Sequence, residues 1–193
     1  MKLLRPIIVG TVATWLLAGV AYPLVMTGVS QLLFPSQANG SPVRVGDTIV
    51  ASRHIGQYFS QNQYFWGRPS ATVPPYNAEA SAASNLGPTN RLLIAHIKNR
   101  IRTLTAVTPG LRVDQIPASL VESSASGLDP DISVQSALIQ IPRVSKATGL
   151  SAGELKRMVQ ENVLSPQFGI FGRDRVNVVQ LNLDLYKVAH LLP

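Results

Sequence analysis

The chain has 193 residues, enough for one domain with an appendage and for a core that needs no staple. It has no cysteine, which excludes thiolate zinc fingers, thiol catalysis and disulfide frameworks. Charged residues make up only 14%, against about 25% in an ordinary soluble domain, and 17 Lys and Arg outweigh 10 Asp and Glu to give +7.

Pro6 through Val43 contains no Asp, Glu, Lys, Arg or His. Within it, residues 7–34 are mostly Ile, Val, Leu, Ala and Gly, and about 20 helical residues suffice to cross a bilayer core. A transmembrane helix is predicted there, its threonine and serine hydroxyls bonding back to helix carbonyls and Pro23 kinking it. A cleaved signal peptide is the competing reading, with Lys2 and Arg5 as its basic start and Gly19-Val20-Ala21 as its cleavage site. The apolar run continues through Phe34, beyond the roughly 7–15 residues of a signal core, which favours a retained anchor. Lys2 and Arg5 precede the span and the next charge is Arg44, so the positive-inside rule predicts a short cytoplasmic segment at 1–6 and an external remainder.

Residues 35–42 are turn-rich and predict a linker. A hairpin is expected around Gly46-Asp47 within 43–51. From Tyr58 to Pro88 the Gly, Pro, Asn and Ser break every period, and the scattered aromatics predict a packed irregular segment. Leu93, Ile94, Ile97, Ile101 and Leu104 then recur at helical spacing from about Asn90, leaving Arg91, Lys98, Arg100 and Arg102 as a solvated basic face. With an external topology, that face does not predict a nucleic-acid binder. A second helix is expected from Ser133 to Gly149, with Val134, Leu138, Ile141 and Val144 inward and Pro142 bending it. Ser151 and Glu154 form a capping box opening a third helix that buries Leu155, Met158, Val159 and Val163. Val179, Leu181 and Leu183 alternate with Gln180, Asn182 and Asp184, which predicts a half-buried strand over 175–184. The fold class is a single N-terminal transmembrane helix followed by a small α+β extracytoplasmic domain at 43–193.

Chemistry is hard to place on this pattern. There is no phosphate-binding loop and no Gly-x-Gly-x-x-Gly. Asp129, Asp131 and Ser133 open like a calcium loop, but Val134 stands where glycine is needed and Gln140 where a bidentate glutamate is needed. His54, His96 and His190 are too dispersed for a metal site. Ser70, Ser84, Ser124 and Ser126 lie in turn-like surroundings outside any nucleophile elbow.

The phrases Phe65-Trp66-Gly67-Arg68-Pro69-Ser70-Ala71, Tyr76-Asn77 and Ser84-Asn85-Leu86-Gly87-Pro88-Thr89-Asn90 resemble the KdpC family, the C subunit of the Kdp potassium-transporting ATPase. Ala125-Ser126-Gly127-Leu128-Asp129-Pro130-Asp131-Ile132-Ser133 and Arg175-Val176-Asn177-Val178 with Leu181-Asn182-Leu183 continue the likeness in order, as do Ile55-Gly56-Gln57 and Arg143-Val144. The sequence departs from the family at Ala82-Ala83, where a glycine pair is expected, and at Gln167 to Gly172, where a tighter and more polar approach is expected. The resemblance implies a noncatalytic accessory subunit in the bacterial plasma membrane, partnered by a channel-like potassium-translocating subunit and an ATP-hydrolysing P-type subunit. Such subunits are described as catalytic chaperones that raise the ATP affinity of the hydrolysing subunit; the complex handles ATP and potassium, and this chain is expected to bind no cofactor. The motif positions Gly67, Arg68, Pro69, Ser70, Asn77, Ser84, Asn85, Leu86, Gly87, Pro88, Asn90, Gly127, Leu128, Asp129, Pro130, Asn177 and Asn182 are candidate scaffold or interface residues. A membrane-anchored extracytoplasmic serine hydrolase and an anchored binding module are the alternatives.

Overall fold

The structure is a computed structural model and describes residues 3–189. Lys2 and His190, both named above, lie outside the described residues. The chain divides into two compact units, Met1–Val50 and Ala51–Pro193.

The first unit begins with helices α1 (Leu4–Leu16) and α2 (Tyr22–Leu33), joined without interruption by a π turn at Leu17–Ala21. The 30-residue run is long and apolar enough to cross a membrane, and none of its side chains is buried within the described residues. The helix widens by a π turn just before Pro23. The proline ring would crowd the carbonyl one turn back, and the chain opens there so that the Tyr22 N–H donates to Leu17 O, five residues earlier. Thr14 Oγ1 donates to Gly10 O at 2.8 Å, the back-bonding that lets a hydroxyl sit in lipid. The stretch predicted as a linker includes a single helical turn, α3 (Pro35–Ala38), followed by Asn39, whose Nδ2 donates a hydrogen bond to Gln31 Oε1 at 3.1 Å. Strands β1 (Pro42–Val45) and β2 (Thr48–Ser52) form the expected hairpin, with Gly46 at φ +58° in its turn.

The second unit is built on a small antiparallel sheet ordered β3 (Asp131–Ser133), β5 (Arg175–Asn177), β4 (Val163–Leu164). Ile132 and Val163 both register against Val176, so the central strand carries its buried valine between two partners. Helices α5 (Val134–Leu138), α6 (Ile141–Thr148), α7 (Ala152–Glu161) and α8 (Val178–Ala189) supply the rest of the core. Its centre comprises Phe65, Val144, Leu155, Val159, Leu181 and Leu185.

The expected second helix is two. Pro142 falls in the first turn of α6, where its missing N–H breaks no bond, and the chain turns at Ile139-Gln140. Gly149 ends α6 at φ +79°, in the left-handed cap conformation that glycine adopts freely. The Ser151–Glu154 capping box is present, with the Glu154 N–H donating to Ser151 Oγ at 3.2 Å and the Ser151 N–H to Glu154 Oε2 at 2.9 Å. The Ser151 hydroxyl, which donates to Glu154 Oε2 at 2.7 Å, and then the Ser151 N–H hold the Glu154 carboxyl below its ordinary pKa. Val163 is half-buried in β4 and does not continue α7.

The strand predicted over 175–184 stops at Asn177, and α8 takes its place. Buried Val178, Leu181, Asn182 and Leu185 follow a 3.6-residue period, so Asn182, outward in the alternating pattern, points inward. Asn177 starts this helix by accepting from the Gln180 N–H at 3.0 Å.

Helix α4 (Arg91–Val107) is capped by Asn90, whose Oδ1 accepts from the Leu92 N–H at 2.8 Å. Leu104 packs with Leu120 and Val121 in a satellite cluster that includes Trp66, Ile97 and Ile101. Ile94 is exposed, contrary to its expected inward place. Arg91, Lys98 and Arg102 are exposed as expected. Arg100 is not: it turns inward and donates to Val121 O at 2.7 Å and Ser123 Oγ at 3.3 Å.

Candidate functional site

The irregular segment is held to the rest of the second unit by buried polar side chains. Asn182 pairs with the backbone of Phe65 in both directions, accepting from its N–H at 2.8 Å and donating to its carbonyl at 2.9 Å, as a neighbouring strand would. Gln140 does the same for Trp66, accepting from its N–H at 2.7 Å and donating to its carbonyl at 3.1 Å. Arg143 completes the series from α6. Its guanidinium donates to Asn62 O at 2.6 Å, Tyr64 O at 2.9 Å and Gln140 Oε1 at 2.6 Å, and lies 4.1 Å from the centre of the Trp66 ring. Arg143 is 2% exposed, and burial pushes its pKa down to about 10, still charged at neutral pH.

A second clamp brings together the phrases around residues 67–77 and 123–131. Arg68 pairs with Asp129 at 3.0 Å and donates to Ser123 O at 3.3 Å. Ser70 Oγ donates to Gly127 O at 2.7 Å and accepts from the Tyr76 and Thr72 N–H groups. Thr72 Oγ1 donates to Pro74 O and accepts from the Asn77 N–H at 3.0 Å. The Tyr76 hydroxyl donates to Arg68 O at 2.6 Å. Gly56 is pinned here, its N–H donating to Leu128 O at 2.8 Å, and a Cβ on it would lie 2.4 Å from the Tyr76 ring. A Cβ on Gly67 would lie 2.6 Å from the Tyr76 hydroxyl. Asp129 also accepts from the Asp131 N–H at 3.0 Å, which makes the calcium-like run a turn, and Asp131 pairs with Arg175 at 2.9 Å across the sheet. Burial raises the Asp131 pKa, with Arg175 opposing that rise.

Beside this clamp opens a cavity of about 340 Å³. Gly67, Arg68, Pro69 and Ser70 line it with Tyr58, Phe59 and Trp66, and Arg100 and Leu104 of α4 close another side. Burial lowers the Arg100 pKa.

The structure therefore gathers Gly67, Arg68, Pro69, Ser70, Asn77, Gly127, Leu128, Asp129 and Pro130 into one region. Asn182 serves the neighbouring Phe65 anchor, and Asn177 caps α8 and donates to Arg53 O at 2.8 Å. Ser84, Asn85, Gly87 and Pro88 stand apart in an exposed stretch, with Leu86 half-buried and Asn90 capping α4. Gln140 and Arg100 were missed as site residues. Gln140 offered a signal, because it falls on the inward stripe with Ala137, Ile141 and Val144. Among the described residues, no group of three or more His, Asp or Glu is placed to hold a metal.

Two measurements test the clamp. The Tyr76 hydroxyl is pushed up to about 12 from 10.0, first by burial and then by Asp129. Between those values the unfolded chain loses this proton while the folded chain keeps it, so stability falls as pH rises through that window, by about 2–3 kcal/mol in full. Chemical denaturation at stepped alkaline pH should show this fall in the wild type and a smaller one in Tyr76→Phe. Arg68→Ala should cost about 1–2 kcal/mol through Asp129 and Ser123, lowering the melting temperature by a few degrees without reducing assembly of the folded protein. Lost co-purification at an unchanged melting temperature would make Arg68 an interface residue.

Residues 4–187 match the family described as K+-transporting ATPase, c chain. The chain is 49% identical over 191 residues to the potassium-transporting ATPase KdpC subunit of Paraburkholderia phytofirmans, covering 98% of each chain. It is 47% identical to that of Rhodopseudomonas palustris strain BisB18, covering 96% of this chain and 98% of the other. With the KdpC subunit of a Janthinobacterium species the identity is 48%, covering 94% and 96% respectively. On the full-length match to these subunits and to the family as a whole, the chain belongs to the KdpC family of potassium-transporting ATPase subunits.

Proposed function

We propose that this chain is a noncatalytic accessory subunit of an ATP-driven potassium uptake complex in the bacterial plasma membrane, anchored by its N-terminal helix with residues 43–193 outside the cytoplasm. Its partners in this reading are the channel-like potassium-translocating subunit and the ATP-hydrolysing P-type subunit. The observation that carries the proposal is how the family phrases use their polar groups. Ser70 Oγ is committed to Gly127 O and to backbone N–H groups, Ser124 Oγ accepts from the Gly127 N–H, and Arg68 is paired with Asp129. These groups build a scaffold and, among the described residues, leave neither Ser70 nor Ser124 as an activated serine beside a base, which argues against the hydrolase reading.

The anchor supports assembly in its own way. Gly10, Gly19 and Gly28 have open space where a side chain would stand, so another helix can approach the backbone closely. With Lys2 and Arg5 on the cytoplasmic side, the folded unit and ATP are on opposite faces of the membrane. Any effect on nucleotide affinity then reaches the hydrolysing subunit as a coupling between states of the membrane subunits, not as a shared nucleotide site.

Extraction of native membranes in mild detergent, followed by sizing and identification of co-purifying chains, should give a large stable complex containing both partners. A free monomer would sink the accessory reading. Protease added to intact spheroplasts should digest the folded unit; protection there, with digestion in inverted vesicles, would reverse the topology.

A further inference from the structure

The segment from 165 to 174 between β4 and β5 takes no part in the clamp. It folds back on itself, with Gln167 and Phe171 bridged antiparallel. Phe168 at its turn is 91% exposed, Ile170 78% and Phe171 66%. Phe168 sits at φ +53°, a left-handed conformation that is costly for a bulky residue. Three large apolar side chains on a protruding tip form a patch that water disfavours.

We propose that this loop is a lipid-docking tip that seats Phe168, Ile170 and Phe171 in the interfacial region of the bilayer. Its backbone suits that medium. The Gln167 and Phe171 N–H groups donate to each other's carbonyls at 2.9 Å, Gly169 N–H donates to Pro166 O at 3.0 Å, and Ile170 N–H donates to Gln167 O at 3.1 Å. Pro166 has no N–H to satisfy. Most of the polar backbone at the tip is therefore paired before it leaves water, the condition a lipid environment imposes. From Asn162 through Gly172 the tip carries no charged residue, and the exposed pair Arg173 and Asp174 at its base adds no net charge, so no charge is carried into the interface. The protruding shape fits a fluid interface, which needs no preformed socket.

The chain's own anchor supplies the proximity. Residues 34–50 span at most about 60 Å when extended, and a unit the size of 51–193 has a radius of gyration of about 14 Å. A unit tethered this way stays within reach of the bilayer, and an apolar tip is the face that the bilayer retains. The inference rests on the proposed membrane placement of α1 and α2, and the test separates the two.

Because the chain has no cysteine, single labelling sites can be introduced cleanly. Phe168→Cys and Ile170→Cys, with Asp114→Cys as an exposed reference and Leu24→Cys in the helix, would carry a bimane label. The full chain would be reconstituted, alone and in the complete complex, into vesicles of brominated phosphatidylcholine and phosphatidylglycerol. The labels at 168 and 170 should lose most of their emission to the brominated chains and resist aqueous iodide, while the label at 114 does the reverse. Iodide quenching at 168 and 170 equal to that at 114 overturns the proposal. Shielding from both quenchers that appears only in the complete complex also overturns it and assigns the tip to a protein partner. If the label at 24 escapes brominated lipid, the anchor reading fails and the tip proposal goes with it.

Discussion

Replacing Arg143 by alanine is expected to destabilise the folded unit by about 3–5 kcal/mol, enough to leave much of the population unfolded near its working temperature. The side chain is the donor for Asn62 O and Tyr64 O and one of two donors for Gln140 Oε1; Gln140 is buried, Tyr64 half-buried and Asn62 exposed. Truncation leaves those acceptors short of partners, at about 1–3 kcal/mol for each group that water cannot reach. It also removes the packing against Trp66. Arg143→Lys should recover only part of the loss, because one ammonium cannot fork to three acceptors with the geometry of a planar guanidinium. Gln140→Leu should be strongly non-additive with Arg143→Ala, since both act on the same attachment of the 62–66 segment. Chemical denaturation of the detergent-solubilised subunit reads these effects. A loss below about 1 kcal/mol in Arg143→Ala would mean that the segment is held by its apolar contacts and that the guanidinium is replaceable.

This dependence also explains which parts of the molecule were legible in the sequence. The Ser151–Glu154 box, the Gly149 stop, the Asn90 start and the Gly46-Asp47 turn depend on groups a few residues apart, so their patterns survive in the linear order. Residues 175–184 misled because Val179, Leu181 and Leu183 satisfy a period of two over a window too short to exclude a period of 3.6. Asn182 decides between them, and its inward direction is set by Phe65, 117 positions earlier in the chain, which no local window contains. Arg143 and Arg100 were unreadable for a related reason. A charged residue on a helix is ordinarily a solvated one, and here each is drawn inward by carbonyls of irregular segments distant in sequence. The phrases around Gly67 and Gly127 were recognisable as a set, yet their mutual contacts became visible only when the two loops were laid together.

Gly127→Ala is expected to cost about 2–4 kcal/mol, although it adds a single methyl group to a loop. Gly127 has φ +69°, so any side chain there is strained before it meets a neighbour. The neighbours then leave no room: a Cβ would lie 2.7 Å from Thr72 Cγ2, 2.8 Å from Ala82 O and 3.3 Å from Ser70 Oγ. Ala82 is itself fixed, its N–H donating to Ser126 O at 3.1 Å, so the backbone oxygen cannot retreat without loosening that bond. Displacing Ser70 would disturb the hydroxyl that collects the Thr72 and Tyr76 N–H groups. The two loops should therefore separate together, and the alkaline sensitivity assigned to Tyr76 should weaken in Gly127→Ala because the phenol is no longer held in a desolvated place. Thr72→Ser in the same chain removes one of the three clashes and keeps the hydroxyl, so it should return part of the stability but not the share due to the backbone angle. Denaturation of the wild type, both single variants and the double variant measures that share. Full recovery in the double variant would show that the methyl–methyl contact alone excludes a side chain at 127. No recovery would place the whole cost on the left-handed backbone and the Ala82 carbonyl.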